Sequence, residues 1–391
     1  MDTRWQLFVI PNSTTIILTL SLLIWFSPFI AKLIRLPIAP VEIMLGSLFA
    51  YLGFIDDNPY FDLVAQTGFL YLMFLAGMEV DFKQLLNSSK MMIKKAILFL
   101  ILLSLLSVWA GWLFDLNNII IISMPLISVG LLATLSKSYN KNEKWISLAF
   151  TTGILGEIAS ITALTIFDAS SKTGFNLHLL IKIGYLVGFI LSVFILYKIL
   201  KIFFWWFPEF KHTLIPRFDI ANQDIRLAMA LFFIFIAIML SLGLELALGS
   251  FISGMAISIF FHHQKNLEEK MSSLGFGFLV PIFFIHVGSS FDLHSLLAEG
   301  VVSGALTITI IMITIRIISA VVLKGTYLYK DAILTAFALS MPLTLLIAVA
   351  TIGDEAELIN HLEYYQLVLA SIIEVIISMI VINILTRKQK V

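Results

Sequence analysis

Residues 119–136 read IIIISMPLISVGLLATLS, and residues 332–352 read AILTAFALSMPLTLLIAVATI. Both stretches are apolar throughout, and both are broken near the middle by a proline with hydroxyls beside it. The first holds Met124, Pro125, Ser128 and Gly130; the second holds Ser340, Met341, Pro342 and Thr344. Proline removes a backbone donor and frees a carbonyl upstream of it. One such segment is an ordinary kinked membrane helix. Two in corresponding halves of a chain point to a midplane site built from broken helices.

The whole chain supports a membrane setting. It has 391 residues, 60% of them hydrophobic and 13% charged, with a mean hydropathy of +1.00, which excludes an ordinary soluble domain. With no cysteine, disulfides and thiolate metal sites are excluded. A net charge of zero gives no footprint for nucleic acid. No phosphate loop, metal-ligand spacing or nucleophile–histidine–acid set stands out, so neither an enzyme nor a cofactor is expected. The N-terminus lacks a basic region followed by a cleavage site, so the first apolar segment is expected to be retained.

A spanning helix needs about 20 apolar residues. Thirteen segments are expected, at 14–31, 37–54, 63–79, 95–114, 119–136, 145–167, 177–200, 226–243, 246–261, 274–290, 301–323, 332–352 and 363–385. With the N-terminus outside and the C-terminus cytoplasmic, 21 of the 25 basic residues fall on the cytoplasmic side. The outer connections are acidic instead, with Asp56, Asp57 and Asp62 in one and Asp354, Glu355 and Glu357 in another. Residues 201–225 read as an interfacial linker, and no soluble regulatory domain is expected after the last segment.

Dividing the chain at segment 7 pairs segments 1–6 with 8–13. The shift is odd, so the two copies have opposite orientations in the membrane, as in many secondary transporters. Segment 6 then carries Glu157 and its mate, segment 13, carries Glu374, both near their centres. Segment 11 carries Arg316, about a turn from its centre. A charge at such depth costs roughly 2.5 kcal/mol or more and marks a candidate proton or ion carrier. The bland alternative is a purely structural ion network.

Five strings add a family resemblance. They are RLPIAPVEIMLGSLFAYLGF (35–54), GFLYLMFLAGMEVDF (68–82), LGLELALGSFISGMAIS (242–258), PIFFIHVGSSFDL (281–293) and ALSMPLTLLIAVATIG (338–353). Together and in this order they resemble the monovalent cation:proton antiporter-2 family, which contains bacterial Na⁺/H⁺ antiporters and Kef-type membrane domains. The resemblance implies an all-α inverted-repeat fold of about thirteen transmembrane helices with two crossing discontinuous helices. It also implies a homodimer in a bacterial-type inner membrane. A mobile core (about 95–167 and 301–385) would move against a dimerisation scaffold (about 14–79 and 226–290), joined by a linker helix at 177–200. The family's carrier carboxylate lies where Glu157 stands, and its buried basic residue lies near Arg316. The chain departs from the electrogenic pattern: Gly156-Glu157 replaces two aspartates, arginine replaces lysine, and Glu374 has no counterpart.

An antiporter needs a group that holds either a proton or a cation. A carboxylate does so, and hard cations favour oxygen ligands. Glu157 is the expected carrier of both H⁺ and the transported monovalent cation. Ser128, Ser160, Ser340 and Thr344, with carbonyls freed near Pro125 and Pro342, are expected to complete the shell. Arginine stays protonated and cannot carry a proton. It is expected to pair with Glu374, leaving one free carboxylate and electroneutral exchange, although the two glutamates could trade roles. Na⁺(Li⁺)/H⁺ antiport is the leading reading; K⁺/H⁺ antiport and a sodium-coupled organic solute symporter are the alternatives. Glu42, Glu79, Asp81 and Glu245 lie near segment ends and are expected at the interface. His286 is expected to be satisfied by a neighbouring helix.

Overall fold

The computed structural model describes residues 12–34, 38–56, 58–79, 89–132, 143–173, 177–207, 222–244, 246–260, 265–290, 299–324 and 328–387. Each of the thirteen expected segments falls on a helix or on a broken pair of helices. Among the described residues, eight helices are long and apolar enough to cross a membrane, or nine when one bent pair counts as a single span. The chain falls into two compact units, residues 1–72 with 272–302, and residues 73–271 with 303–391.

The first unit contains α1 (Asn12–Ile34), α2 (Ile38–Tyr51) and most of α3 (Pro59–Met78). It also holds a π turn at Gly275–Leu279 running into α11 (Val280–Ser289), after α10 (Lys265–Leu274). Ile16, Leu23, Ile55, Phe61, Ala65, Ile282 and Ile285 form its buried cluster. A Cβ on Gly46 would lie 2.1 Å from the Ile285 carbonyl oxygen, and one on Gly288 would lie 2.0 Å from that of Ile43. These reciprocal contacts let the backbones of α2 and α11 touch, which is how membrane helices gain packing energy where lipid offers no hydrophobic drive.

The second unit contains the end of α3, α4 (Lys90–Leu113), α5 (Asn118–Ser123), α6 (Lys144–Thr173), α7 (Leu177–Trp206), α8 (Gln223–Leu242) and α9 (Leu246–Phe260). It continues with α12 (Val301–Ser319, mostly in this unit), a 3₁₀ turn at Ala320–Leu323, α13 (Tyr329–Ala338), α14 (Leu343–Glu355) and α15 (His361–Arg387). Here the crossing recurs with other residues. A Cβ on Gly77 would lie 2.0 Å from the Phe251 oxygen, and one on Gly254 would lie 2.0 Å from the Phe74 oxygen. The crossings involve segments 2 with 10 and 3 with 9, which the sequence repeat exchanges. Four glycines of the quoted strings are therefore contact points between backbones.

Two further features follow from local chemistry. α8 ends in a glycine stop: Gly243 is left-handed (φ 61°), and the Gly243 and Leu244 N–H groups donate to the Leu240 and Met239 carbonyls. On α4, Ala96, Phe99, Leu103, Ser107 and Ala110 are buried at helical spacing while Ile101, Leu105, Trp109 and Trp112 are exposed. A helix apolar on both faces suits a bilayer on its outer side.

Candidate ion site

Segment 5 is not one helix. α5 is six residues long, opened by Asn117, whose side-chain oxygen accepts the Ile119 N–H at 3.1 Å. The helix stops at Ser123; residues 126–128 have no helical structure, and helix resumes at Gly130. Segment 12 is also broken at its proline, but there the break lies before it. α13 ends at Ala338, α14 starts after Pro342, and the pair is bent by 44°. α14 packs against α5 and α6, and a Cβ on Gly153 of α6 would meet both Val129 of the first break and Leu339 of the second.

Buried backbone groups need partners, and the first break finds them around one carboxylate. The Val129 N–H donates to Glu157 Oε2 at 3.2 Å, and the Ser128 hydroxyl donates to Glu157 Oε1 at 3.3 Å. One turn further along α6, the Ser160 hydroxyl oxygen accepts the Ile127 N–H at 2.9 Å. Glu157 is fully buried. The close approach depends on two glycines of α6. A Cβ on Gly156 would lie 2.7 Å from Ile127 Cδ1, and one on Gly153 would lie 2.6 Å from Val129 Cγ1. Where electrogenic relatives of the resembled family carry a first aspartate, Ile127 here fills the space.

Arg316 and Glu374 form a separate buried pair. Arg316 Nη1 donates to Glu374 Oε1 at 2.6 Å, and both side chains are fully buried. Arg316 Nη2 donates to the Leu126 carbonyl at 2.7 Å, the acceptor left open by the first break. Among the described residues Arg316 Nε and Glu374 Oε2 have no hydrogen-bond partner. The Ser340 carbonyl, open at the second break, accepts the Ser378 hydroxyl at 3.0 Å.

The structure thus brings Ser128 and Ser160 to the Glu157 cluster and joins Arg316 to Glu374. Ser340 and Thr344 are buried at the second break, but neither is bonded to Glu157; the Ser340 hydroxyl donates to the Ala336 carbonyl at 3.0 Å. Pro125 and Pro342 mark the two breaks. Side-chain reading missed Leu126, Ile127 and Val129, which act through the backbone, and Ser378. One expectation is corrected: Glu42 is not interfacial but buried (3% exposed), accepting the Ser27 hydroxyl at 3.0 Å, because α2 starts within a packed unit. His286 meets Asp62 at 2.9 Å. Asp81 and Glu245 lie outside the described residues. Among the described residues no three His, Asp or Glu side chains converge on one point. A cation at Glu157 would therefore be held by one carboxylate and neutral oxygens.

Comparisons with known proteins bear on the fold and the family. The solved sodium proton antiporter MjNhaP1 from Methanocaldococcus jannaschii at pH 8 superposes with a TM-score of 0.66 at 16% identity, covering 94% of this chain and 96% of that one. That likeness speaks for the fold. The Na⁺/H⁺ antiporter of Enterococcus hirae is 24% identical over 363 residues, 89% of this chain and 90% of that protein. YjbQ of Bacillus subtilis is 24% identical over 385 residues, 91% of this chain, and the chain spans 60% of its length. The transmembrane sodium/hydrogen exchanger family model matches residues 17–388, nearly the whole sequence from the first helix to the last. With two proline-broken segments and a buried carboxylate bonded at the first break, the chain belongs to that sodium/hydrogen exchanger family.

Proposed function

We propose that this protein exchanges Na⁺ for H⁺ across a membrane by alternating access, with Glu157 as the single carrier. The observation that carries the reading is the setting of Glu157. It is a fully buried carboxylate whose partners are a hydroxyl and one backbone N–H at a helix break, with no cationic side chain paired to it among the described residues. Such a group is neutral with a proton and neutral with a bound monovalent cation. Both loaded forms cross with the same charge, so exchange is one for one and electroneutral. The hydroxyls of Ser128 and Ser160 and the open carbonyls of the first break supply the remaining oxygens. Ser340 and Thr344 would join them only after a shift of the second break. Arg316 stays with Glu374 and adds no net charge to the moving part.

The relatives' names support sodium as the cation, and the charge asymmetry of the loops supports an outside N-terminus and a cytoplasmic C-terminus in an inner-type cell membrane. The homodimer, and the division into a moving core and a scaffold, rest on the family resemblance.

The test uses purified protein in proteoliposomes with an internal pH dye and a clamped potential. Sodium-driven proton efflux that ignores the potential and disappears in Glu157→Gln is the expected result. Full exchange by Glu157→Gln would sink the carrier assignment. A response to K⁺ in place of Na⁺ would move the substrate to potassium.

A further inference from the structure

A single offset of 217 residues relates the two halves of the second unit. It places Ser123-Met124-Pro125-Leu126 on Ser340-Met341-Pro342-Leu343, identical in all four residues, and it places Glu157 on Glu374. Each glutamate follows its proline by 32 residues. Glu374 therefore stands in the second repeat where the carrier carboxylate stands in the first.

The surroundings explain why the two carboxylates differ. In the first repeat the break stays open past Pro125, so the Val129 N–H is free to bond Glu157. In the second, helix resumes directly after Pro342. Leu346, which matches Val129, donates its N–H to the Pro342 carbonyl at 2.8 Å. Glu374 is thus denied that donor, and it takes the guanidinium of Arg316 instead. The fit is partial. One oxygen of Glu374 is bound at 2.6 Å, while Oε2 is buried with no hydrogen-bond partner among the described residues. A site shaped for a guanidinium would use both oxygens in a fork.

We propose that Glu374 is a second carboxylate site for a proton or a small monovalent cation, kept closed by Arg316, whose guanidinium takes the ligand's place as a tethered cation. The proposal rests on reading Glu157 as the carrier, because Glu374 inherits its role by repeat symmetry. Arg316 is then a stoichiometry-determining residue. It leaves one working carboxylate per chain instead of two.

The test measures equilibrium binding of radiolabelled Na⁺ to purified protein in lipid nanodiscs. Glu157→Gln removes the carrier site and with it saturable binding. Adding Arg316→Gln, whose amide still donates to the Leu126 carbonyl, opens Glu374 and restores one sodium per chain. Adding Glu374→Gln to that removes it again. A folded Glu157→Gln/Arg316→Gln protein that binds no sodium overturns the proposal. So does sodium binding that survives Glu374→Gln. If Glu157→Gln alone still binds sodium, the carrier reading is what fails, and the proposal is then scored by whether Arg316→Gln adds one further equivalent. Arg316→Lys is the second variant, since it keeps a cation in place and preserves the packing. Among the described residues Arg316 is the charged side chain that acts on Glu374. In the Glu157→Gln background the lysine form is expected to bind no sodium at neutral pH and one sodium at about pH 10, where a lysine ordinarily gives up its proton. No sodium at either pH overturns the proposal as well.

Discussion

Replacing Glu374 by glutamine and replacing Arg316 by glutamine remove the same ion pair, yet the two changes are expected to differ sharply in stability. Both side chains are fully buried and their contact is 2.6 Å, so solvent screens little of it. Breaking a buried pair by deleting one partner costs about 3–5 kcal/mol, because the other charge is left uncompensated. That full cost applies to Glu374→Gln. The guanidinium cannot shed its proton, and no other carboxylate is bonded to it. Arg316→Gln leaves a carboxylate that can escape its charge by taking up a proton, and the glutamine amide can keep the Leu126 carbonyl satisfied. Its cost reduces to one neutral hydrogen bond and some packing, about 1–2 kcal/mol. The double variant carries no buried charge and is expected within about 1 kcal/mol of Arg316→Gln, since neutral replacements of buried pairs are often tolerated. The assay is thermal inactivation in detergent, followed by tryptophan fluorescence and by the monodisperse fraction after heating, at one fixed scan rate for all four proteins. The expected order is wild type, then Arg316→Gln and the double variant together, then Glu374→Gln well below. Equal losses in the two single variants would refute the reasoning, because then the protonation of Glu374 supplies no relief.

Competition at Glu157 fixes a pH signature. Wherever protons dominate the site, the apparent KM for Na⁺ is expected to rise about tenfold per pH unit of acidification, since the ligand must be deprotonated to bind metal; initial rates in proteoliposomes check this, and a flat KM would exclude a shared carboxylate. Ser160→Ala strips the Ile127 N–H of its acceptor and is expected to cost about 1–3 kcal/mol, with slower exchange measured in the same vesicles. Gly77→Ala is expected to destabilise by about 1–3 kcal/mol through overpacking, because its Cβ would meet the Phe251 oxygen at 2.0 Å. Adding Gly254→Ala should cost less than the sum, since one separation of α3 from α9 relieves both clashes; strict additivity in thermal scans would speak against a shared crossing. Ser27→Ala deprives Glu42 of the Ser27 hydroxyl and is expected to cost about 1–3 kcal/mol, whereas Ser27→Thr is expected to retain most of the stability in the same scans.

The membrane segments were legible because hydropathy needs no tertiary information, and the breaks were legible because proline announces them. What the sequence could not display is which backbone groups the breaks release and where those groups go. Pro125 marks a freed carbonyl, but that Leu126 gives its carbonyl to Arg316 while Ile127 and Val129 turn their N–H groups toward Ser160 and Glu157 is decided by how α6 packs. That packing depends on Gly153 and Gly156, which read in isolation as weak helix formers. Glu42 shows the opposite failure. Its place near a segment end suggested an interface, yet the Gly46–Ile285 and Gly288–Ile43 crossing holds that end of α2 in the core beside Ser27. One signal was available in the letters alone: the equal spacing from Pro125 to Glu157 and from Pro342 to Glu374. Hydropathy pairs segments but carries no register, whereas an exact residue offset does. That register turns two buried glutamates into equivalent positions with unequal partners. The inequality reduces to two local facts, the earlier restart of helix after Pro342 and the guanidinium that Arg316 gives to Glu374; on the proposed mechanism they leave a single carboxylate to trade a proton for a cation.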